Sequence, residues 1–240
     1  MTHPRWSIVV PAFNEARRLP PHLDEIVAYF DARDEPYEVL VVDDGSSDGT
    51  ADVVETLAQR HPALRVLRMP YNQGKGAAVR KGMLAADGLY RLFTDADGAT
   101  PIFELPRLEA ALMRGADVAI GSRALPEPGV AVVARAHRVA AGRVFSWMVG
   151  RLGVRGVADS QCGFKAFTAK AANQLFGRLV TRGFGFDVEV LLRAQAERYV
   201  IEEVAVNWSD RAESKVGVLR DGPRMLAEIL KARIEVARKW

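Results

Sequence analysis

The sequence predicts an α/β fold built on a mostly parallel, doubly wound sheet, and three observations predict it. Short apolar runs alternate with stretches of helical period, a pattern that implies right-handed crossovers between parallel strands. Runs such as Val39-Leu40-Val41-Val42 are apolar without alternation, as expected of strands covered by helices on both faces. A hydrophobic content of 49% over 240 residues is enough to fill one large core.

Taken in order, Ser7–Pro11 and Glu38–Val42 read as strands, and Leu23–Ala32 and Ala51–Arg60 as helices. Strand Arg65–Met69, helix Gly76–Ala86, strand Tyr90–Thr94, helix Ile102–Arg114 and strand Asp117–Gly121 continue the alternation, so residues 5–122 are expected to form one doubly wound unit. Beyond Arg123 the order changes. Leu125–Val130 is a Pro- and Gly-containing loop, Ala131–Leu152 a long apolar helical stretch dotted with arginine, and Pro223–Trp240 a terminal helix. With no internal repeat and no low-complexity segment, the chain is read as a single domain, 1–240.

Charge is unevenly distributed. Residues 1–120 hold 13 Lys and Arg against 18 Asp and Glu, whereas residues 121–240 hold 20 against 12, giving −5 and +8 within a net charge of +3. Either the two faces are solvated unevenly, or the acidic half holds a cation and the basic half an anionic partner. A lone cysteine, Cys162, excludes an internal disulfide and a cysteine-rich zinc site, which favours a reducing, cytoplasmic setting. No basic segment followed by an apolar stretch opens the sequence, and no uncharged apolar run approaches the ~18 residues of a spanning helix, so neither a secretion signal nor a membrane span is expected.

Ligands of open parallel sheets bind beyond the carboxyl ends of the strands. Gathering the residues just after each expected strand collects Pro11–Glu15, Asp43–Asp48, Asn72–Lys75 and Asp95–Thr100. Two of these clusters are carboxylate pairs, which would repel a phosphate unless a cation lay between. Asp95-Ala96-Asp97 can aim two hard oxygen ligands at one octahedral site, suited to Mg²⁺ or Mn²⁺. Asp43, at the end of a buried strand, needs a partner such as base N–H or ribose hydroxyl groups. Asp44, Ser46 and Asp48 could instead serve the turn, with Asp48 as N-cap of the next helix. Lys75, between Gly74 and Gly76, marks either an anion-binding helix start or a flexible turn. No Walker A loop occurs, and Gly45–Gly49 does not fit the dinucleotide-binding fingerprint.

Together, Val9-Val10-Pro11-Ala12-Phe13-Asn14-Glu15, Val41-Val42-Asp43-Asp44-Gly45-Ser46-Ser47-Asp48-Gly49-Thr50, Gly74-Lys75-Gly76 and Asp95-Ala96-Asp97 resemble the family 2 glycosyltransferases of GT-A fold. Asp95–Thr100, Asp159-Ser160-Gln161-Cys162-Gly163-Phe164-Lys165 and Ser214-Lys215-Val216 bring the likeness nearest to dolichyl- and polyprenyl-phosphate β-glucosyltransferases, with the related mannosyltransferases next. The resemblance implies that Pro11, Ala12, Glu15 and Asp43, with Asn14, Asp44 and Lys75 beside them, hold the nucleotide-sugar. It also implies that Asp95 and Asp97 hold the metal-diphosphate and that Arg123 lies near the phosphates. Ala99 stands where the mannosyltransferases often carry Gln, which favours glucose, and the absence of Gln-x-x-Arg-Trp favours a single transfer over polymerisation.

The implied reaction is an inverting displacement of a nucleoside diphosphate by a polyprenyl or dolichyl phosphate. Asp97, Asp159, Arg123 and Lys215 are the catalytic candidates, with Lys215 on a loop that closes over the donor. Arg123, Arg135, Arg138 and Lys165 are the candidates for the acceptor phosphate. An acceptor phosphate is already ionised near neutral pH, so Asp159 is expected to orient; a hydroxyl acceptor would need it as a base. A peripheral position at the cytoplasmic face of the membrane is expected, through Ala131–Leu152 or Pro223–Trp240, although the first could equally be a core helix. A nucleic-acid-binding role finds no base-reading motif in the sequence.

Overall fold

The computed structural model describes residues 3–133, 154–210 and 218–237. Strands β1 (Trp6–Ala12), β2 (Tyr37–Asp43), β3 (Leu64–Arg68), β4 (Tyr90–Thr94) and β5 (Val118–Ser122) alternate with helices α1 (Leu19–Asp31), α2 (Thr50–Ala58), α3 (Lys75–Ala85) and α4 (Leu105–Met113). A 3₁₀ turn, Ile102–Glu104, leads into α4. The second half adds β6 (Val132–Val133), β7 (Phe164–Thr168), α5 (Ala169–Gly177), α6 (Phe186–Ala196), β8 (Ile201–Ala205), β9 (Trp208–Ser209) and α7 (Val218–Ala237).

Seven strands form one sheet in the order β3-β2-β1-β4-β7-β5-β8. All pairings are parallel except those of β7, which runs antiparallel between β4 and β5. Residues 5–122 therefore do not close on themselves, because the gap between β4 and β5 is filled by a strand from the second half. Phe164–Phe167 is fully buried, and a strand buried on both faces has an apolar pattern that does not reveal its direction or its neighbours.

Side chains alternate across the sheet into two cores. Ile8 and Val10 of β1 join Leu19, Leu23, Ile26 and Phe30 of α1 and Leu105 and Leu108 of α4 on one face. Val9 packs with Val79 and Met83 of α3, Phe176 of α5 and Phe186 and Val190 of α6 on the other.

Several boundaries move for physical reasons. Helix α1 starts at Leu19, because Pro20 and Pro21 fall in the first turn, where a missing N–H costs nothing. Gly49, at φ 85°, takes the N-cap position of α2 that the sequence suggested for Asp48. Val132 and Val133, expected in a helix from Ala131, form β6 against Trp208 and Ser209, in keeping with β-branched preference. The rest of that stretch, 134–153, lies outside the described residues, as do 211–217 and 238–240. Helix α7 begins at Val218, five residues before Pro223.

Gly82 tests the packing between α3 and the sheet. A Cβ there would meet Val9 Cγ1 at 2.3 Å and Val42 Cγ2 at 2.9 Å. Alanine would gain about 1 kcal/mol of helix propensity but overpack at a cost of about 1–3 kcal/mol. Gly82→Ala should therefore lower the urea midpoint; a raised midpoint would show that the interface is looser than described.

Candidate active site

The sheet order reverses between β1 and β4, so a crevice opens where both strands end. Its floor is laced by side-chain-to-backbone hydrogen bonds. Asn14, held at φ 54°, donates its N–H to Ser46 Oγ (2.9 Å), and its Oδ1 accepts from Ser47 N–H (2.9 Å). Asp48 accepts from Ala16 N–H and Thr50 N–H at 3.1 and 3.0 Å. Gly45 has φ 71°, and a Cβ there would lie 2.4 Å from the Tyr71 carbonyl carbon, so only glycine lets this turn meet the next loop.

The acidic residues of these loops divide by what they already hold. Both oxygens of buried Asp44 are committed, to Gln73 N–H (2.7 Å) and Gly74 N–H (2.8 Å), which fixes the start of α3. Glu15 is paired with Arg18 at 2.6 and 2.7 Å. Asp43 is also buried, yet the one hydrogen bond to its carboxylate among the described residues is a long one, from Ser46 N–H at 3.3 Å. A buried carboxylate so weakly satisfied is the group on this floor best placed to accept bonds from a ligand.

Asp95 and Asp97 follow β4 directly. Asp95 N–H donates to Gly163 O (3.1 Å), and a Cβ on Gly163 would lie 2.0 Å from Asp95 Oδ2, so this glycine leaves the carboxylate its room. Lys75, in the first turn of α3, brings its Nζ to 2.6 Å from Asp95 Oδ1 and lies beside the rings of Phe184 and Phe186. Burial pulls the Lys75 ammonium down, but Asp95, Asp187 and Asp97 outweigh it and hold its pKa above the ordinary value. Burial, then the neighbouring Asp95 charge, raises the Asp97 carboxyl. One ammonium thus leaves the pair incompletely neutralised.

Two carboxylates offering hard oxygens fit a divalent cation. No group of three or more His, Cys, Asp or Glu side chains able to hold a metal is found among the described residues; a bound phosphate and water would add further oxygen ligands to such a cation.

Across the crevice, Arg123 follows β5 and grips buried Asp159 in two places, Nε to Oδ2 at 2.6 Å and Nη2 to Oδ1 at 2.8 Å, with Arg123 N–H adding 3.0 Å to Oδ2. Its guanidinium lies 5.4 Å from the Trp208 ring centroid. Burial favours the neutral Asp159 carboxyl, but the Arg123 contacts prevail and hold its pKa below the usual range. Beyond Arg123 an open cleft of about 550 Å³ is walled by Ala124, Leu125, Pro126, Pro128, Val130 and Val132, with one acid, Glu127, which pairs with Arg107. A fixed cation therefore stands at the head of a largely apolar trough.

The sequence model of glycosyl transferase family 2 matches residues 7–176. The chain belongs to that family. This glycosyltransferase is 41% identical over 223 residues to a dolichyl-phosphate beta-glucosyltransferase of Drosophila melanogaster, covering 88% of this chain and 68% of the relative. It is 40% identical over 222 residues to dolichyl-phosphate beta-glucosyltransferase ALG5C of Trichomonas vaginalis, covering 88% and 66%. The chain thus spans about two thirds of the length of these relatives. Among solved structures, glucosyl-3-phosphoglycerate synthase of Mycobacterium tuberculosis in complex with Mn²⁺ and UDP-glucose superposes with a TM-score of 0.71, covering 96% of this chain and 79% of that one at 22% identity, which is a likeness of fold. The mostly parallel, helix-flanked sheet is thus the GT-A architecture.

Of the residues singled out in the sequence, the ends of β1, β2 and β4 in this glycosyltransferase gather Pro11, Ala12, Asn14, Glu15, Asp43, Asp44, Lys75, Asp95 and Asp97 around one crevice. Arg123 and Asp159 meet as a pair at its other wall. Lys165 departs from expectation. Its side chain is wholly buried, with Nζ 2.6 Å from both Asp187 Oδ1 and Cys162 O and over the Phe93 ring, so it neutralises Asp187 beneath the site and offers no charge to an acceptor. Arg135, Arg138 and Lys215 lie outside the described residues. Sequence reasoning missed Trp208, Gly163 and Asp187. Asp187 had a signal, being an acid inside the apolar run Phe186–Leu192.

The Arg123–Asp159 pair gives a pH test. Because Asp159 has a lowered pKa, its stabilising contribution is present above the unfolded value of 3.8 and is lost as pH falls through the folded one. In Arg123→Met the N–H groups of residues 123 and 161 and the Lys165 charge still favour the carboxylate, but the two-point side-chain contact is gone, so the loss of stability on acidification should be smaller than in the wild type. Urea unfolding of both proteins across the acid limb checks this; parallel pH profiles would contradict it.

Proposed function

We propose that this glycosyltransferase moves one glucose from UDP-glucose to a dolichyl or polyprenyl phosphate, with inversion at the anomeric carbon. The observation that carries the reading is the pairing of the Asp95/Asp97 carboxylates at the switch point with Arg123 at the head of an apolar trough. This arrangement supports a reading in which one wall serves a metal-bound diphosphate and the other a lipid phosphate. The names of the relatives support the same donor and acceptor classes.

Asp43 and the ends of β1 and β2 hold the nucleoside, with Asp44 keeping the Gln73–Gly74 turn in place. Mg²⁺ or Mn²⁺ held by Asp95 and Asp97 together with the diphosphate would neutralise the charge that builds on the leaving group. Lys75 supplies a second positive charge at the same point from the first turn of α3. Arg123 holds the acceptor phosphate in line with the sugar, and Asp159 and Trp208 fix the plane of its guanidinium. Asp159 is a poor base because both its oxygens are engaged by Arg123 and its pKa is depressed. A phosphate acceptor, already ionised, needs no base, which favours it over a sugar hydroxyl.

No helix among the described residues is long and apolar enough to cross a membrane. In the proposed reading the lipid phosphate is met at the cytoplasmic face of the membrane.

Sugar transfer from radiolabelled UDP-glucose and GDP-mannose to a short polyprenyl phosphate, with Mg²⁺ or Mn²⁺, tests the proposal. UDP-glucose should label the lipid only with metal, and Asp97→Ala should lower the rate by at least about 10²-fold. Donor hydrolysis without lipid labelling would overturn the acceptor, and faster transfer from GDP-mannose would overturn the sugar.

A further inference from the structure

Arg123 is fixed through Asp159, and Asp159 is itself suspended from another strand. Glu203, in the middle of β8, accepts from Ala158 N–H at its Oε2 and from Asp159 N–H at its Oε1, both at 2.8 Å. Two successive amides are thus bound by one carboxylate, which sets the direction in which the Asp159 side chain leaves the turn. Gln195 ties the start of the same segment, accepting from Arg155 N–H at 3.1 Å. Strand β8 is parallel to β5, with Glu203 beside Ile120, and β5 ends in Arg123's neighbour Ser122. The arginine and the glutamate are therefore carried on adjacent strands of one rigid sheet, and the turn with Asp159 bridges them. The chain leaving β8 also delivers Trp208 to the guanidinium. Both supports of Arg123, the carboxylate and the indole, depend on this strand.

We infer that Glu203 is a positioning residue for phosphate binding by Arg123, acting through the Ala158–Asp159 turn. The chemistry follows from the donor count. A carboxylate satisfies two amide donors at once, whereas a glutamine at 203 presents one oxygen and one NH₂ group, leaving one backbone N–H opposed by another donor. The turn then rotates to relieve the conflict and the two-point contact with Arg123 loosens. Supporting groups of this kind are worth about 10- to 100-fold in activity at metal sites, where they orient ligands in the same way. The part of the inference that concerns the acceptor rests on the proposed function; the part that concerns Arg123 does not.

The test compares Glu203→Gln and Glu203→Asp with the wild type in the full chain. Glu203→Gln should lower kcat/KM for polyprenyl phosphate about tenfold while changing UDP affinity less than twofold, and Glu203→Asp, which keeps two acceptor oxygens, should recover at least half of that loss on a logarithmic scale. In the background of Arg123→Gln the Glu203→Gln substitution should have little further effect, because both act on one contact. A lowered melting temperature with unchanged acceptor kcat/KM, or losses that multiply in the double variant, would overturn the inference and leave Glu203 a fold-stabilising group. A second readout needs no turnover: the Nε–H resonance of Arg123, assigned by its loss in Arg123→Lys, should be sharp in wild type and broadened in Glu203→Gln. If wild type labels no lipid the proposed acceptor fails, while an unchanged Nε–H signal in Glu203→Gln would refute the positioning role itself.

Discussion

Two carboxylates two residues apart at the end of a buried strand repel each other, and much of the site can be understood as a response to that repulsion. Like charges about 4 Å apart cost about 4 kcal/mol at an effective dielectric near 20. Lys75 answers part of it from the first turn of α3, while burial first and the Asp95 charge second still raise the Asp97 carboxyl. Placing that ammonium requires α3 to start where it does. This is why Asp44 spends both oxygens on Gln73 and Gly74, and why Gly74 and Gly76 pass within 2.5–2.6 Å of the 181–182 backbone at their missing Cβ positions. In the proposed reading, the charge that stays uncompensated is what draws a divalent cation and the diphosphate that travels with it.

The inserted strand β7 connects this centre to the opposite wall. It is antiparallel between β4 and β5, so the turn that precedes it, Asp159–Gly163, falls at the carboxyl ends of both neighbours. That single placement puts Gly163 against Asp95 and Asp159 against Arg123. The same strand sends Lys165 into the interior, where it balances Asp187 at the start of α6. Burying that pair is costly unless both groups are fully bonded, and Cys162 O supplies the extra bond to the ammonium. The burial that surrounds this cluster also pushes the Cys162 thiol up to about 11, so it stays a neutral space-filler.

The parallel half of the sheet and its ligand end were legible in the sequence, because strand, loop and helix follow one another locally and ligands bind at strand ends. Asp43, Lys75, Asp95 and Asp97 were found that way. Features that depend on pairing over long separations were not. Nothing in Phe164–Thr168 reveals that it runs antiparallel between β4 and β5, so Lys165 was read as a candidate for the acceptor phosphate when it lies wholly buried in an interior strand. Trp208 and Glu203 carried no local signal, since each gains its meaning from partners far along the chain, Arg123 for Trp208 and Ala158 and Asp159 for Glu203. Val132-Val133 was absorbed into a helical pattern because a two-residue strand is too short for periodicity to register.

If Asp95 and Asp97 hold the metal as proposed, the cation and the diphosphate complete each other's site, since two carboxylates alone make a poor metal cage. The most direct measurement is calorimetry of Mn²⁺ and UDP, separately and together, with the wild-type chain and with Asp95→Asn. Mn²⁺ alone should bind weakly, UDP affinity should rise at least about tenfold when Mn²⁺ is present, and that coupling should be lost in Asp95→Asn. Mn²⁺ binding that is equally tight with and without UDP, or UDP binding indifferent to Mn²⁺, would contradict it.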